Sequence, residues 1–124
     1  MGFALLAALA LSLSAAQAAT AAPPAGDPTK GQDVFEDRCG SCHVLGGVGQ
    51  GPNLVGVVGR KAGTVRGYAY SAAIKRNGQV WTPARLDQFL TGPARLIPGT
   101  AMTAVVPSPV QRRDLIAYLA SLKR

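Results

Sequence analysis

Cys39-Gly40-Ser41-Cys42-His43 constrains this chain more than any other stretch of it. A C-x-x-C-H run is the attachment pattern for haem. Two thiols one helical turn apart reach the two vinyl groups of one porphyrin and become thioethers. The imidazole that follows is then brought under the iron from the same side. His43 is the only histidine in the sequence, and it stands directly beside Cys42. Two other chemistries use paired cysteines. A thioredoxin-like dithiol wants a βαβ context, which is absent here. Four-coordinate zinc needs a further His or Cys, and the chain has neither. The expected cofactor is one haem c, covalent through Cys39 and Cys42, with His43 on the iron.

A sixth ligand has to come from elsewhere, or the iron stays open and reactive. No second histidine exists, and of the two methionines Met1 belongs to the leader described below, which leaves Met102. It follows Pro98-Gly99-Thr100-Ala101, a turn whose Pro and Gly set the chain direction just before the sulfur. A methionine more often fills core space, but here a haem needs a ligand and one thioether is available. His43 and Met102 are therefore the expected metal ligands. Met/His ligation raises the potential and suits electron transfer. The expectation is a one-electron carrier and not an enzyme. Peroxidase or sensor chemistry would require Met102 to be labile.

Residues 1–18, MGFALLAALALSLSAAQA, have the layout of a secretory signal peptide: an apolar run, then small residues with Ala16-Gln17-Ala18 as cleavage site. A retained membrane anchor is the alternative, weakened by Ser12, Ser14 and Gln17 within a run that is short for a span of about 20 apolar residues. Export, and for a bacterium the periplasm, is the expectation. Residues 19–28 read as a flexible, Pro-containing linker, and 29–124 as the haem domain. Such a small domain often leans on a cofactor.

Thirteen Lys and Arg face six Asp and Glu. A basic surface speeds encounter with acidic partners in a salt-sensitive way. The basic residues are scattered in pairs with no binding motif, so nucleic acid is not an expected partner. The expected partners are redox proteins with acidic docking surfaces, met by a monomer without membrane insertion.

Helical signals come in short pieces. Asp27 or Thr29 can cap a first helix running to Cys39. Ser71 can cap a short helix ending at Asn77-Gly78. Thr82-Pro83 and Ser108-Pro109 are caps followed by Pro at the first helical position. Leu115, Tyr118, Leu119 and Leu122 form the apolar stripe of a last helix. Between Val44 and Gly67 the chain is rich in glycine and has no apolar period, so it reads as a loop wrapping something close to its backbone. Pro93 and Pro98-Gly99 read as punctuation. The fold class is all-α.

From Gly31 to Leu122 the sequence resembles the class I c-type cytochromes, the family of mitochondrial cytochrome c and its soluble bacterial relatives. The resemblance is carried by Gly31-Gln-Asp-Val-Phe35, Gly51-Pro-Asn-Leu54, Gly59-Arg-Lys-Ala-Gly63, Gly67-Tyr-Ala-Tyr-Ser71, Trp81, Ile97-Pro-Gly-Thr-Ala-Met102 and Asp114-Leu-Ile-Ala-Tyr-Leu119, in that order. It implies a small class I cytochrome c fold, with short helices and Gly-rich loops wrapped around one covalently bound haem. It also implies that the Pro52 carbonyl orients the second nitrogen of His43. Arg60, Tyr70 and Trp81 would donate hydrogen bonds around a buried haem propionate, and Thr100 would belong to the cofactor-binding set. Gly31 and Phe35 would pack against Leu115 and Tyr118 where the first and last helices cross.

The departures are equally specific. The loop between His43 and Gly51 is shorter than in the mitochondrial proteins and has no lysine. Phe89 stands where a tyrosine is usual, Ala104 where an aromatic shields the haem edge, and Ile74 where an interior Asn is found. Ala94 and Ala101 replace frequent lysines, leaving Arg38 and Arg95 as rim charges to guide docking. The function implied is shuttling between respiratory or photosynthetic redox complexes. The alternatives are a dedicated acceptor subunit of one periplasmic dehydrogenase or a membrane-tethered cytochrome.

Overall fold

The computed structural model describes residues 25–123. Residues 1–24, which hold the expected signal peptide and most of the expected linker, lie outside the described residues. Helix α1 spans Pro28–Arg38. Asp27 caps it, its carboxylate accepting from the Thr29 and Lys30 amides at 2.9 and 3.3 Å, while Pro28 occupies a position where no N–H is needed. The Asp27 amide donates to the Asp114 carboxylate at 2.8 Å, and the Gly26 backbone rests against the Arg113 carbonyl. Gly26 and Asp27 are therefore held against Arg113 and Asp114.

Helix α2 spans Ala72–Asn77, capped by Ser71 and closed by Gly78 in the left-handed region at φ 63°. Helix α3, Pro83–Thr91, starts on Thr82, whose hydroxyl accepts from the Arg85 amide at 3.1 Å. Helix α4, Pro93–Leu96, has no side-chain cap. It was not expected, since a single turn opened by Pro looks like punctuation. Helix α5, Pro109–Ser121, starts on Ser108, which accepts from the Gln111 amide at 3.3 Å. Among the described residues there is no strand, only an isolated antiparallel bridge between Lys61 and Val80. The fold is all-α, as expected.

Helices α1 and α5 cross at Gly31. A Cβ there would fall onto the Asp114 carbonyl and the Tyr118 Cβ, so only glycine lets the backbones meet. Phe35 and Tyr118 pack ring to ring at 5.6 Å beside this crossing, and Leu115 beneath it is fully buried. Burying such a side chain stabilises the fold by roughly 1.5–3 kcal/mol.

The glycine-rich stretch is ordered by side chains and by the distant chain end. The Asn53 carboxamide oxygen accepts from Gly46 and Val55 amides at 2.9 and 3.0 Å. The Gly56 amide donates to the Leu122 carbonyl at 2.7 Å. Residues 102–107 form an irregular strap that includes buried Val106, whose amide donates to the Leu90 carbonyl at 2.8 Å. Arg112 of α5, itself buried, donates through one guanidinium nitrogen to the Val106 and Pro107 carbonyls at 2.9 and 2.8 Å.

Candidate cofactor site

One helical turn continues past α1. The Cys42 and His43 amides both donate to the Cys39 carbonyl, at 3.1 and 2.9 Å. The two thiols and the imidazole therefore sit on a single turn, as the C-x-x-C-H spacing requires. Cys39 is buried and Cys42 half-buried. Burial pushes the Cys39 thiol up to about 11, with Arg38 beside it pulling the other way and Cys42 adding a smaller upward push.

The His43 ring is held from two sides. Its Nδ1–H donates to the Pro52 carbonyl at 2.8 Å. A carbonyl can only accept, so Nδ1 carries the proton and Nε2 is left with its lone pair. Gly51 lies against the ring itself: a Cβ at Gly51 would overlap Cε1, Nδ1 and Nε2. The Gly51 amide in turn donates to the Cys42 carbonyl at 2.8 Å, which ties the loop back onto the cysteine turn.

Cys39, Cys42, His43 and Met102 all line one cavity of about 350 Å³. That volume lies within the ~300–1,000 Å³ common for cofactor pockets. Its walls are mainly apolar, with Leu54, Val57, Leu86, Leu90, Leu115 and Leu119 among them. Every residue expected at the site reaches this cavity: Pro52, Arg60, Tyr70, Trp81 and Thr100 line it together with the four above. Arg38 also borders it and pairs with Asp37 at 3.7 Å. Arg95 does not; it lines a separate shallow groove with Asp87 and Thr91, so only one of the two expected rim charges is at the cavity.

The expected propionate donors are positioned by backbone bonds. Trp81 and the Arg60 loop are joined twice, by the Trp81 amide to the Arg60 carbonyl and the Gly59 amide to the Trp81 carbonyl, each at 2.9 Å. The Arg60 guanidinium is anchored on the Asn53 and Val55 carbonyls at 2.9 and 3.3 Å. The Tyr70 hydroxyl accepts from the Val65 amide at 3.0 Å, a bond that leaves its own proton to donate. Trp81 packs on Phe89 at 4.9 Å. Phe89, Ile74 and Ala104, the departures from the family pattern, all line the cavity; Phe89 and Ile74 make its wall less polar than a Tyr and an Asn would, and Ala104 makes it less bulky. The Thr100 amide closes the turn before Met102 by donating to the Ile97 carbonyl at 3.1 Å.

Tyr68 is a cavity residue that sequence reasoning left without a role. It stacks edge-on against Tyr70 at 4.7 Å and donates its hydroxyl to the Gln50 carbonyl at 2.6 Å. The Tyr-Ala-Tyr spacing was its only signal.

These residues fit a haem. Two thiols stand at attachment spacing, an imidazole has its outer nitrogen already occupied, a lone thioether shares the space, and donors occur within an otherwise apolar wall.

The sequence profile of the Cytochrome c family matches residues 28–123. The chain is 43% identical over 106 residues to a cytochrome c of Guizotia abyssinica, covering 82% of this chain and 96% of that one. It is 46% identical over 99 residues to cytochrome c 2.1 of Caenorhabditis elegans, covering 77% of this chain and 89% of the relative. Among solved structures, cytochrome cH from Methylobacterium extorquens superposes with a TM-score of 0.74 at 42% identity, over 77% of this chain and 99% of that one.

Proposed function

The chain belongs to the cytochrome c family, carrying one haem c covalently through Cys39 and Cys42 and moving electrons rather than turning over a substrate; on that premise we propose that it is a periplasmic one-electron shuttle with His43 and Met102 as axial ligands. The observation that carries the ligand assignment is the convergence of Cys39, Cys42, His43 and Met102 on one cavity, with His43 Nδ1 fixed by Pro52. Bound there, the haem supplies a ferric/ferrous couple in a wall of low polarity.

The protein's own part is to hold this couple still. Pro52 fixes the tautomer and orientation of His43 and raises its basicity. Met102 arrives on a strap held at both ends, by the Ile97–Thr100 turn and by Val106. Held in this way, His43 and Met102 would need little rearrangement when a haem bound between them gained or lost an electron. Arg60, Tyr70 and Trp81 offer donors for a carboxylate, which is otherwise expensive to bury. The leucine-rich wall excludes water from the iron side.

Export to the periplasm is supported by the composition of residues 1–18. Among the described residues no helix is long and apolar enough to cross a membrane. The partners proposed are redox proteins with acidic surfaces, because the chain carries a formal charge of +7.

The test is an optical spectrum and potential of the oxidised holoprotein, wild type against Met102→Ala. The wild type should show the near-infrared sulfur-to-iron charge-transfer band, and the variant should lose it while its potential falls. A variant with unchanged band and potential would refute the ligand assignment.

A further inference from the structure

The charges along the sequence are unevenly placed. From Arg38 to Leu86 there is no Asp or Glu at all, while Arg38, Arg60, Lys61, Arg66, Lys75, Arg76 and Arg85 fall within that stretch. The fold gathers part of this excess on one outer face. Lys61 pairs with Val80 in the isolated bridge, and a Cβ at Gly78 would lie 3.6 Å from Lys61 Cε, which places that side chain over the end of α2. Gly63 lies against the backbone of Ile74 and Lys75, its Cβ position 3.4 Å from each. Lys75 and Arg76 form the last turn of α2. Lys61, Lys75 and Arg76 are all exposed, and the ion pairs among the described residues involve none of them.

Cations at a helix C-terminus offset its dipole, and Lys75 and Arg76 do this for α2. Six residues of helix do not account for Lys61, which comes from another segment. Nor is the face remote from the cofactor cavity. Arg60, Ile74 and Trp81 line the cavity, and their chain neighbours Lys61, Lys75 and Val80 are exposed. One thickness of chain separates the two sides.

We propose that the face formed by Lys61, Lys75 and Arg76, with half-exposed Val80 beside them, is a docking surface for a carboxylate-rich protein partner. This deepens the electron-carrier reading and rests on it. Opposite charge steers encounter and fixes register, while Arg and an apolar contact suit the middle of a protein interface. A membrane surface is the weaker match, since polybasic lipid-binding segments gather about 4–8 cations.

The experiment uses reduced holoprotein at low ionic strength, an oligoglutamate peptide as probe, and amide NMR as readout. Shifts should concentrate in residues 61–66 and 72–80. The combined variant Lys61→Gln, Lys75→Gln, Arg76→Gln, with an unchanged haem spectrum, should bind the peptide roughly ten-fold more weakly. Arg38→Gln should change binding by no more than about two-fold. Shifts concentrated on Arg38 and residues 100–104, or a triple variant that binds like the wild type, would overturn the proposal. So would anionic phospholipid vesicles that bind through these three residues when the peptide does not. Failure of the electron-carrier reading would show differently, as a wild-type holoprotein without a reversible one-electron couple, which the peptide titration does not read.

Discussion

Arg112 Nε donates to the Asp87 carboxylate at 2.7 Å, with the Arg side chain 10% exposed and the Asp side chain 48% exposed. The pair joins α5 to α3, and through the Val106 and Pro107 carbonyls the same guanidinium grips the far end of the strap that carries Met102. Arg112→Met leaves those two carbonyls without their donor and should destabilise the holoprotein by roughly 2–4 kcal/mol in guanidinium unfolding. Asp87→Asn should cost less, about 1 kcal/mol, because its carboxylate is half in water. In Arg112→Met the near-infrared band should disappear at lower denaturant than helical circular dichroism does. Coincident loss of the two signals would show that Arg112 has no particular hold on the strap.

Gly31→Ala introduces a Cβ where the Asp114 carbonyl already stands. Backbone on both sides cannot rotate away, so the crossing of α1 and α5 must open. A loss of about 3 kcal/mol or more is expected. Gly40→Ala is the control: its Cβ would lie 3.4 Å from the Glu36 carbonyl oxygen, an ordinary contact, and its stability should change by less than about 1 kcal/mol.

Gly51→Ala pushes the loop off the His43 ring and lengthens the bond from Nδ1–H to Pro52. A weaker bond makes the imidazole a poorer electron donor, which disfavours the ferric state. The midpoint potential should rise by roughly 30–60 mV, given ~59 mV for each tenfold change in relative affinity. A potential that stays put or falls would contradict the role given to Pro52.

Ser108→Ala removes the hydroxyl that accepts from the Gln111 amide. Helix α5 should fray at its first turn at a cost of about 1 kcal/mol. Hydrogen exchange of the Gln111 and Arg112 amides should quicken before that of Leu115 and Leu119.

The legible and illegible parts of this chain divide on physical lines. Ser71, Thr82-Pro83 and Ser108-Pro109 announced their helices because capping is local chemistry, written within four residues. Helix α4 had no such signal, for Gly92 caps it without a side chain. Asp27 is legible as a cap of α1, whereas its bond to Asp114 spans the whole domain and leaves no local mark. At the site, the cysteine turn and its histidine were readable from spacing, whereas Arg60, Tyr70, Trp81 and the Pro52 carbonyl came only through family resemblance. Leu54, Leu86 and Leu90 could not be told from ordinary core, since a leucine against a cofactor and a leucine against another leucine leave the same mark. The burial of Arg112 leaves no mark in the sequence, because nothing in Arg112-Arg113 says which one turns inward.

The meeting of Gly31 with Asp114 has a consequence for assembly. The segment bearing the two cysteines emerges early in synthesis, yet its helix finds its seat only when the last turns of the polypeptide have been delivered. Closure with so large a sequence separation is slow. Until it happens, Cys39 and Cys42 travel on an open tail, accessible to whatever enzyme joins them to the porphyrin.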